Sequence, residues 1–361
     1  MDEGAQNQDS RATQQQAALA QMLAVQIDAR LAAEAWRLIA PARRVLILAH
    51  EHPDPDALGS ALGLAFALEP LGKRCVVACA DPAPADYTFL PGHEAVVTAL
   101  PDTDFDLVIA LDAGELSRYG RIYFDHQAFF DSAVILNMDH HVTTHGCGLV
   151  NVIDPLSAAT AELLTLFLLN RDVAISEDAA KCLLAGIITD TRAFEYDATT
   201  ARTLAAGAYL RGLGAIPEAI IKPMYRLKPL AKARLWGRVL DRELRTAAEG
   251  RIVYAAVRQG DLAQTGATPD MDDGLSSYLL DITGVRFSAI LKEQTDGTTK
   301  ASLRALAPYD AAAVARHFGG GGHLRAAGCT LKMDVEAAVA ALIPVLERAL
   351  DEQTPAPPPA S

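Results

Sequence analysis

Short apolar runs bounded by polar residues or proline recur along the first half of the chain, with stretches of helical spacing between them. Val45-Leu46-Ile47-Leu48-Ala49, residues 76–80, residues 105–111 and Ala133-Val134-Ile135-Leu136 each read as a short buried strand. Helical spacing occupies residues 15–39, where Pro41 stops it, and then 58–68, 157–169 and 177–188. Strands alternating with helices predict an α/β fold with a doubly wound parallel sheet.

From about residue 200 to 243 the pattern is helical throughout and reads as a helical connector. A smaller α/β unit follows. Its expected strands are 252–257, 285–292 and 300–305, the last two joined by the turn Thr295-Asp296-Gly297. Its expected helices are 275–282, 311–318 and 335–350. Residues 1–15 are polar and 351–361 rich in proline, and both are expected to be disordered. The predicted plan is therefore a larger α/β domain over 16–205, a connector over 206–243 and a smaller domain over 244–350.

Composition narrows the function. A chain of 361 residues, half of them hydrophobic, is enough for two cores. The net charge of -13 excludes a broad basic face gripping long duplex nucleic acid, while a short nucleotide held by metals and a local basic pocket stays compatible. Five cysteines (Cys75, Cys79, Cys147, Cys182, Cys329) form no paired ladder, which argues against a disulfide framework or a zinc finger. No run approaches the ~18 apolar residues of a membrane span. The polar amino terminus shows no secretory pattern, so the expected location is the cytoplasm, without membrane attachment.

The candidate chemistry sits where apolar runs end. The first gives way to His50-Glu51-His52-Pro53-Asp54-Pro55-Asp56, the third to Asp112, the fourth to Asp139-His140-His141, and the helix over 177–188 runs into Asp190. Alone, a His-x-x-x-Asp-x-Asp turn is an ordinary solvated loop with an Asp helix cap. Several such marks at strand carboxyl ends, where open α/β sheets hold their ligands, point to one crevice. His50, Asp54, Asp56, Asp112, His140 and Asp190 offer nitrogen and oxygen ligation without thiolate. That set exceeds a single zinc site and suits two cations sharing a carboxylate, ~3.5–4 Å apart, as phosphate-ester hydrolysis uses. Imidazole with carboxylate favours Mn²⁺, with Mg²⁺, Co²⁺ or Fe²⁺ as substitutes.

In extended chain, successive side chains point oppositely, so one of His140 and His141 is expected to ligate and the other to face substrate. Asp139 is expected to orient an imidazole. His52 reads as a rim residue, and His93, His126 and His145 as surface or packed side chains. The run Gly319-Gly320-Gly321-Gly322 admits two readings: a flexible helix C-cap, or an anion nest next to His323 and Arg325. Arg304 could add a bidentate phosphate clamp.

These motifs resemble the DHH phosphoesterases: HxxxDxD, the strand-terminal Asp112, Asp139-His140-His141 and Thr189-Asp190-Thr191. GGGGHLRAAG with the upstream Ser302-Leu303-Arg304 resembles the associated DHHA1 substrate-binding domain, and the whole is most similar to the bacterial nano-RNases, bifunctional oligoribonucleases and pAp phosphatases. The resemblance implies one Mn²⁺ on His50, Asp54 and Asp112 and a second on Asp56, Asp112, His140 and Asp190. It further implies that His141 contacts the scissile phosphate, with the Gly-rich loop, His323 and nearby Arg holding the rest of the nucleotide. Expected substrates are short oligoribonucleotides, linear dinucleotides such as pApA, and pAp. The alternatives are a manganese-dependent inorganic pyrophosphatase and a catalytically silent nucleotide sensor. A homodimer stays open. Arg192 stands where glycine or asparagine would be common in the family, and Ser157 to Glu162 is a looser form of its Ser-Thr-Gly-Glu segment.

Overall fold

The computed structural model describes residues 3–84 and 86–352. They form two compact units, Met1–Leu227 and Lys228–Ser361. In the first, α1 (Glu3–Ala24) and α2 (Ala29–Ile39) replace the single helix expected over 15–39, and α1 covers residues expected to be disordered. The break has a clear cause: Asp28 accepts hydrogen bonds from the Arg30 and Leu31 amides and so starts a new helix. Leu19, Ala20 and Leu23 pack on the core, which gives the polar upstream turns a helix to continue.

The strands of this unit are β1 (Arg44–Leu48), β2 (Arg74–Ala78), β3 (Leu107–Leu111), β4 (Ile135–Asp139) and β5 (Val150–Ile153). Its remaining helices are α3 (Pro55–Leu68), the one-turn α4 (Arg121–Phe124) and α5 (Gln127–Phe130), α6 (Thr160–Asn170), α7 (Glu177–Asp190), α8 (Ala201–Gly212) and α9 (Pro217–Ile221). The strands lie in the order β2-β1-β3-β4-β5 and all pair in parallel. Such a sheet reverses its winding between β1 and β3, and ligands bind outside the carboxyl ends at that point. β5, an edge strand with only Val152 fully buried, was not predicted, because its sequence carries no uninterrupted apolar run.

Helices α3 and α7 approach closely on one face of the sheet. A Cβ at Gly59 would stand 2.4 Å from the Cys182 carbonyl oxygen, and one at Gly63 would stand 2.8 Å from the Leu183 side chain. Small residues thus let two helix backbones meet, and each of these helices carries a candidate ligand at one end.

The helical stretch expected as a connector divides: α8, α9 and a wide turn over Lys222–Arg226 belong to the first unit, and α10 (Leu230–Arg242) to the second. The second unit has strands β6 (Arg245–Ala247), β7 (Ile252–Val257), β8 (Phe287–Glu293), β9 (Thr299–Ala305), β10 (Gly321–His323) and β11 (Ala326–Leu331). Its helices are α11 (Gln259–Thr265), α12 (Leu275–Leu280), α13 (Ala311–His317) and α14 (Val335–Glu352). The strand order is β10-β11-β9-β8-β7-β6, with only β7 and β8 parallel. Apart from its first two residues, the expected disordered tail lies outside the described residues.

The glycine run is now accounted for position by position. Gly319, at φ +72, and Gly320 end α13, with their amides bonded to the Arg316 and Ala315 carbonyls as in a Schellman cap. A Cβ at Gly320 would stand 2.2 Å from the Gly328 carbonyl oxygen, and one at Gly322 would stand 2.6 Å from the Ala326 oxygen. Gly319 and Gly321 have open space at that position, and of the two only Gly319 needs glycine for its positive φ.

The close approach of α3 and α7 carries a signed test. Replacing a helix-interior glycine by alanine ordinarily stabilises by up to about 1 kcal/mol. Gly59→Ala is expected instead to destabilise by about 1–3 kcal/mol through overpacking, read as a lowered denaturant midpoint.

Candidate active site

The pairing register runs Leu48 with Ala110 and Leu111 with Met138, so His50, Asp112 and Asp139 leave the sheet at one level beside the winding reversal. Asp112 takes a left-handed backbone, φ +59, and is almost fully buried. Its two oxygens face different neighbours. Oδ2 lies 3.5 Å from His50 Nε2, while Oδ1 lies 3.7 Å from His140 Nε2 and 3.9 Å from His141 Nδ1.

Three groups could each hold a cation: His50, Asp54 and Asp112; Asp56, His140 and Asp190; and Asp112, His140 and His141. In each, the donor atoms lie within 4.8 Å of one another. Asp54 serves two purposes. Its Oδ1 caps α3 through the Ala57 amide at 2.9 Å, while Oδ2 faces His50 at 3.8 Å.

The imidazoles are set by carbonyl oxygens, which only accept. His50 Nδ1 donates to Glu51 O at 2.8 Å and His140 Nδ1 donates to Ser157 O at 3.2 Å, leaving both Nε2 atoms unprotonated for ligation in the neutral ring. His140 Nε2 is buried without a hydrogen-bond partner, although Asp190 Oδ2 is 3.3 Å away. A buried nitrogen with no partner among facing carboxylates fits a divalent cation.

The expectation that His140 and His141 point oppositely is corrected. Their ring centroids lie 4.4 Å apart and both turn toward Asp112. Strand alternation does not reach them, because β4 ends at Asp139. They differ in exposure instead: the His140 side chain is 14% exposed and that of His141 is 52% exposed. Asp139, fully buried, accepts from the His140 and His141 amides at 2.7 and 3.2 Å, from His141 Nδ1 at 2.8 Å and from the Thr144 hydroxyl.

The electrostatics describe a site short of positive charge. Burial, and then the Asp112 and Asp190 carboxylates, push Asp56 well above the usual carboxylate range. Burial and the Asp112 and Asp54 charges lift Asp190 to about 6. For His140, burial works against the cation, but the contacts with Asp190, Asp56 and Asp112 outweigh it and raise the group to about 10. Proton uptake of this kind is what bound divalent cations would replace.

The sequence reading missed the residues behind the ligands. Asp56, with no exposed surface, accepts from the Thr160 and Ala161 amides at 2.7 and 3.0 Å, at the start of α6. The Thr160 hydroxyl donates to Asp112 Oδ1 at 2.8 Å. One signal was available: α6 begins after Ala159, which has no capping side chain, so an acceptor must come from elsewhere. Of the other histidines, His52 is exposed beside Asp81, while His93 and His126 bond to the local Leu90 and Ile122 carbonyls.

In the second unit, pairing places His323 opposite Ala326 and Ala326 opposite Arg304, so the three share one sheet face. The next row on that face is Gly321, Gly328 and Ser302. This is a flat floor of small residues between His323 and Arg304, which stand on strands whose backbones lie ~10 Å apart. Arg325 is exposed and bonds to the Leu306 and Tyr309 carbonyls.

A parallel sheet whose carboxyl edge gathers carboxylates and imidazoles could hold cations, and the family it matches makes the protein a phosphoesterase. The DHH family, N-terminal domain, matches residues 44–187 and the DHHA1 domain matches residues 249–352, and the chain belongs to the DHH family. It is 34% identical over 296 residues to the bifunctional oligoribonuclease and PAP phosphatase NrnA of Thermus thermophilus, covering 80% of this chain and 84% of that protein. The protein of the same name from Bacillus subtilis is 25% identical, over 80% of this chain and 89% of its own length. The fold matches the crystal structure of an exopolyphosphatase-related protein from Bacteroides fragilis with a TM-score of 0.79 at 24% identity, covering 91% and 97% of the two chains.

Removing divalent ions tests the centre directly. Ligand at a hundred times its dissociation constant adds about 2.7 kcal/mol to stability. Saturating divalent cation is therefore expected to raise the Tm of chelator-treated protein by roughly 5–10 °C. Asp112→Asn is expected to abolish that shift, as read by differential scanning fluorimetry.

Proposed function

We propose that the protein is a manganese-dependent phosphodiesterase acting on short oligoribonucleotides and linear dinucleotides such as pApA, with pAp as a second substrate. The observation that carries this reading is Asp112, with one oxygen turned to His50 and the other to His140, in front of a buried His140 Nε2 that lacks a partner. Two Mn²⁺ ions are assigned, one to His50, Asp54 and Asp112 and the other to Asp56, Asp112, His140 and Asp190, with Mg²⁺ or Co²⁺ as substitutes. When bound, such a pair polarises a phosphoryl oxygen and makes water acidic enough to attack near neutral pH.

The protein's own part is positioning. Asp139, through its hydrogen bond, raises His141 above its ordinary value and favours the imidazolium. That cation is assigned to the scissile phosphate, offering Nε2–H to an oxygen that gains charge during cleavage. The substrate name carried by the Thermus relative supports a nucleotide rather than pyrophosphate. In the second domain, the floor between His323 and Arg304 suits a planar base, with Gly319, Gly320, Gly321, Gly322 and Arg325 framing the loop. Five free cysteines, three of them buried, fit a reducing compartment, so the reaction is assigned to the cytoplasm.

Purified protein with Mn²⁺ is expected to cleave a dinucleotide and pAp, and to leave pyrophosphate nearly intact. Preferential pyrophosphate hydrolysis would refute the substrate assignment. Within the site, His140→Ala is expected to strip metal, whereas His141→Ala lowers kcat with metal retained, checked by elemental analysis beside kinetics. Arg304→Ala or His323→Ala removes a charge-assisted contact of ~1.5–3 kcal/mol, one to two decades in kcat/KM on a dinucleotide. Hydrolysis of bis-p-nitrophenyl phosphate by those variants is expected to change much less.

A further inference from the structure

The segment from Asp154 to Glu162 touches three of the assigned ligands without being one. Ser157 gives its carbonyl oxygen to His140 Nδ1 at 3.2 Å. Thr160 and Ala161 give their amides to the two oxygens of Asp56. The Thr160 hydroxyl reaches Asp112 Oδ1 at 2.8 Å. Thr160 is thus bonded both to Asp112, the carboxylate shared by the two assigned cation sites, and to Asp56, the buried carboxylate of α3.

The segment is itself anchored from behind. Glu162, fully buried, receives Arg202 Nε at 2.7 Å, the Thr203 hydroxyl at 2.9 Å and the Ala158 amide at 3.0 Å. Arg202 also reaches Asp154 at 2.9 Å and the Ser157 hydroxyl at 3.0 Å. The guanidinium also donates to the Gln26 carbonyl oxygen at 3.3 Å, and a planar fork meeting three acceptors of one segment holds it more rigidly than an ammonium would. Each bond is ordinary by itself. Their common target, one short segment behind one cation site, is the observation that points to a role.

We propose that Thr160 is a positioning residue of the metal centre: its hydroxyl orients Asp112 while its amide and that of Ala161 orient Asp56, within a clamp fixed by Glu162 and Arg202. The proposal rests on the two-metal reading above. A ligating carboxylate that is free to rotate must be ordered when the cation arrives, and the clamp removes that cost in advance. Loss of partners behind a ligand typically weakens metal affinity ten- to a hundredfold.

Thr160→Val keeps the shape, the β-branch and the amide while deleting only the hydroxyl. Mn²⁺ titration by calorimetry of the metal-free full-length protein is expected to show about a ten- to hundredfold weaker dissociation constant for at least one ion. The Tm of the metal-free variant is expected to equal that of wild type, KM for a dinucleotide at saturating Mn²⁺ is expected to stay near wild type, and Thr160→Ser is expected to restore affinity. Unchanged Mn²⁺ affinity in Thr160→Val overturns the proposal. A metal-free Tm that falls in parallel also overturns it, because the hydroxyl would then serve the fold. If Thr160→Val does not fold, Thr160→Ala against Thr160→Ser poses the same question, and equal affinities overturn the clamp. Wild-type protein that binds no divalent ion would overturn the metal reading itself, an outcome distinct from a silent Thr160 substitution.

Discussion

The buried carboxylate of Asp56 is the constraint around which the first domain is arranged. An ionised carboxylate without water costs several kcal/mol unless it is paired and hydrogen-bonded. The fold meets this with the first amides of α6, where backbone donors and the helix dipole both favour negative charge. The geometry demands space, and Gly186 supplies it: a Cβ there would stand 2.3 Å from Asp56 Oδ1. Gly59, one turn along α3, meets α7 in the same close contact. The packing of three helices is therefore settled by where one charge must go. The compensation is incomplete, since burial, and after it the Asp112 and Asp190 charges, still push Asp56 upward. A site built this way could be satisfied by bound cations, which would couple its stability to its chemistry.

The glycine run of the second domain shows how a functional-looking motif divides on inspection. Gly319 and Gly320 end a helix, and Gly320 and Gly322 let β10 lie against β11, where a side chain would meet backbone atoms. Those glycines are demanded by the fold alone. What they produce is a sheet edge whose outer face carries Gly321, Gly328 and Ala326 between His323 and Arg304. The helix-cap reading of the sequence therefore holds at Gly319 and Gly320, and ligand recognition by the rest of the run stays a proposal. The helix cap is a step in building the flat surface to which recognition is assigned.

Much of the centre was legible because it obeys a topological rule. Apolar runs mark strands, polar residues at their carboxyl ends mark the crevice, and His50, Asp112 and Asp139 follow from that logic without coordinates. What stayed hidden depends on long-range contact. β5 and β11 lack continuous apolar runs, because Asn151 interrupts the first and small residues dominate the second. Thr160 looked like ordinary helix, since its partners are 48 and 104 residues away. The opposed His140 and His141 failed for a local reason: the strand stops one residue too early for alternation to apply.

The turn after Asp190 shows how a ligand at a helix end is kept from fraying. Arg192, Ala193 and Phe194 all have left-handed backbones, with φ of +49, +59 and +69. For residues other than glycine this costs roughly 1–2 kcal/mol each, so the turn persists only because its surroundings determine it. The Ala193 amide bonds back to Ile188 O at 2.7 Å, and the Phe194 amide bonds to the Thr191 hydroxyl at 3.0 Å. The Phe194 ring packs on the core against Gly207, where a Cβ would come within 2.9 Å of it. Full burial of an aromatic ring contributes on the order of 1.5–3 kcal/mol, and the partly buried Phe194 ring offsets a fraction of the strain. The notch at Gly207 and the reversal at Arg192 are thus two ends of one device. It pulls the chain down immediately after the carboxylate and fixes Asp190 at the edge of the crevice rather than at the loose end of a helix.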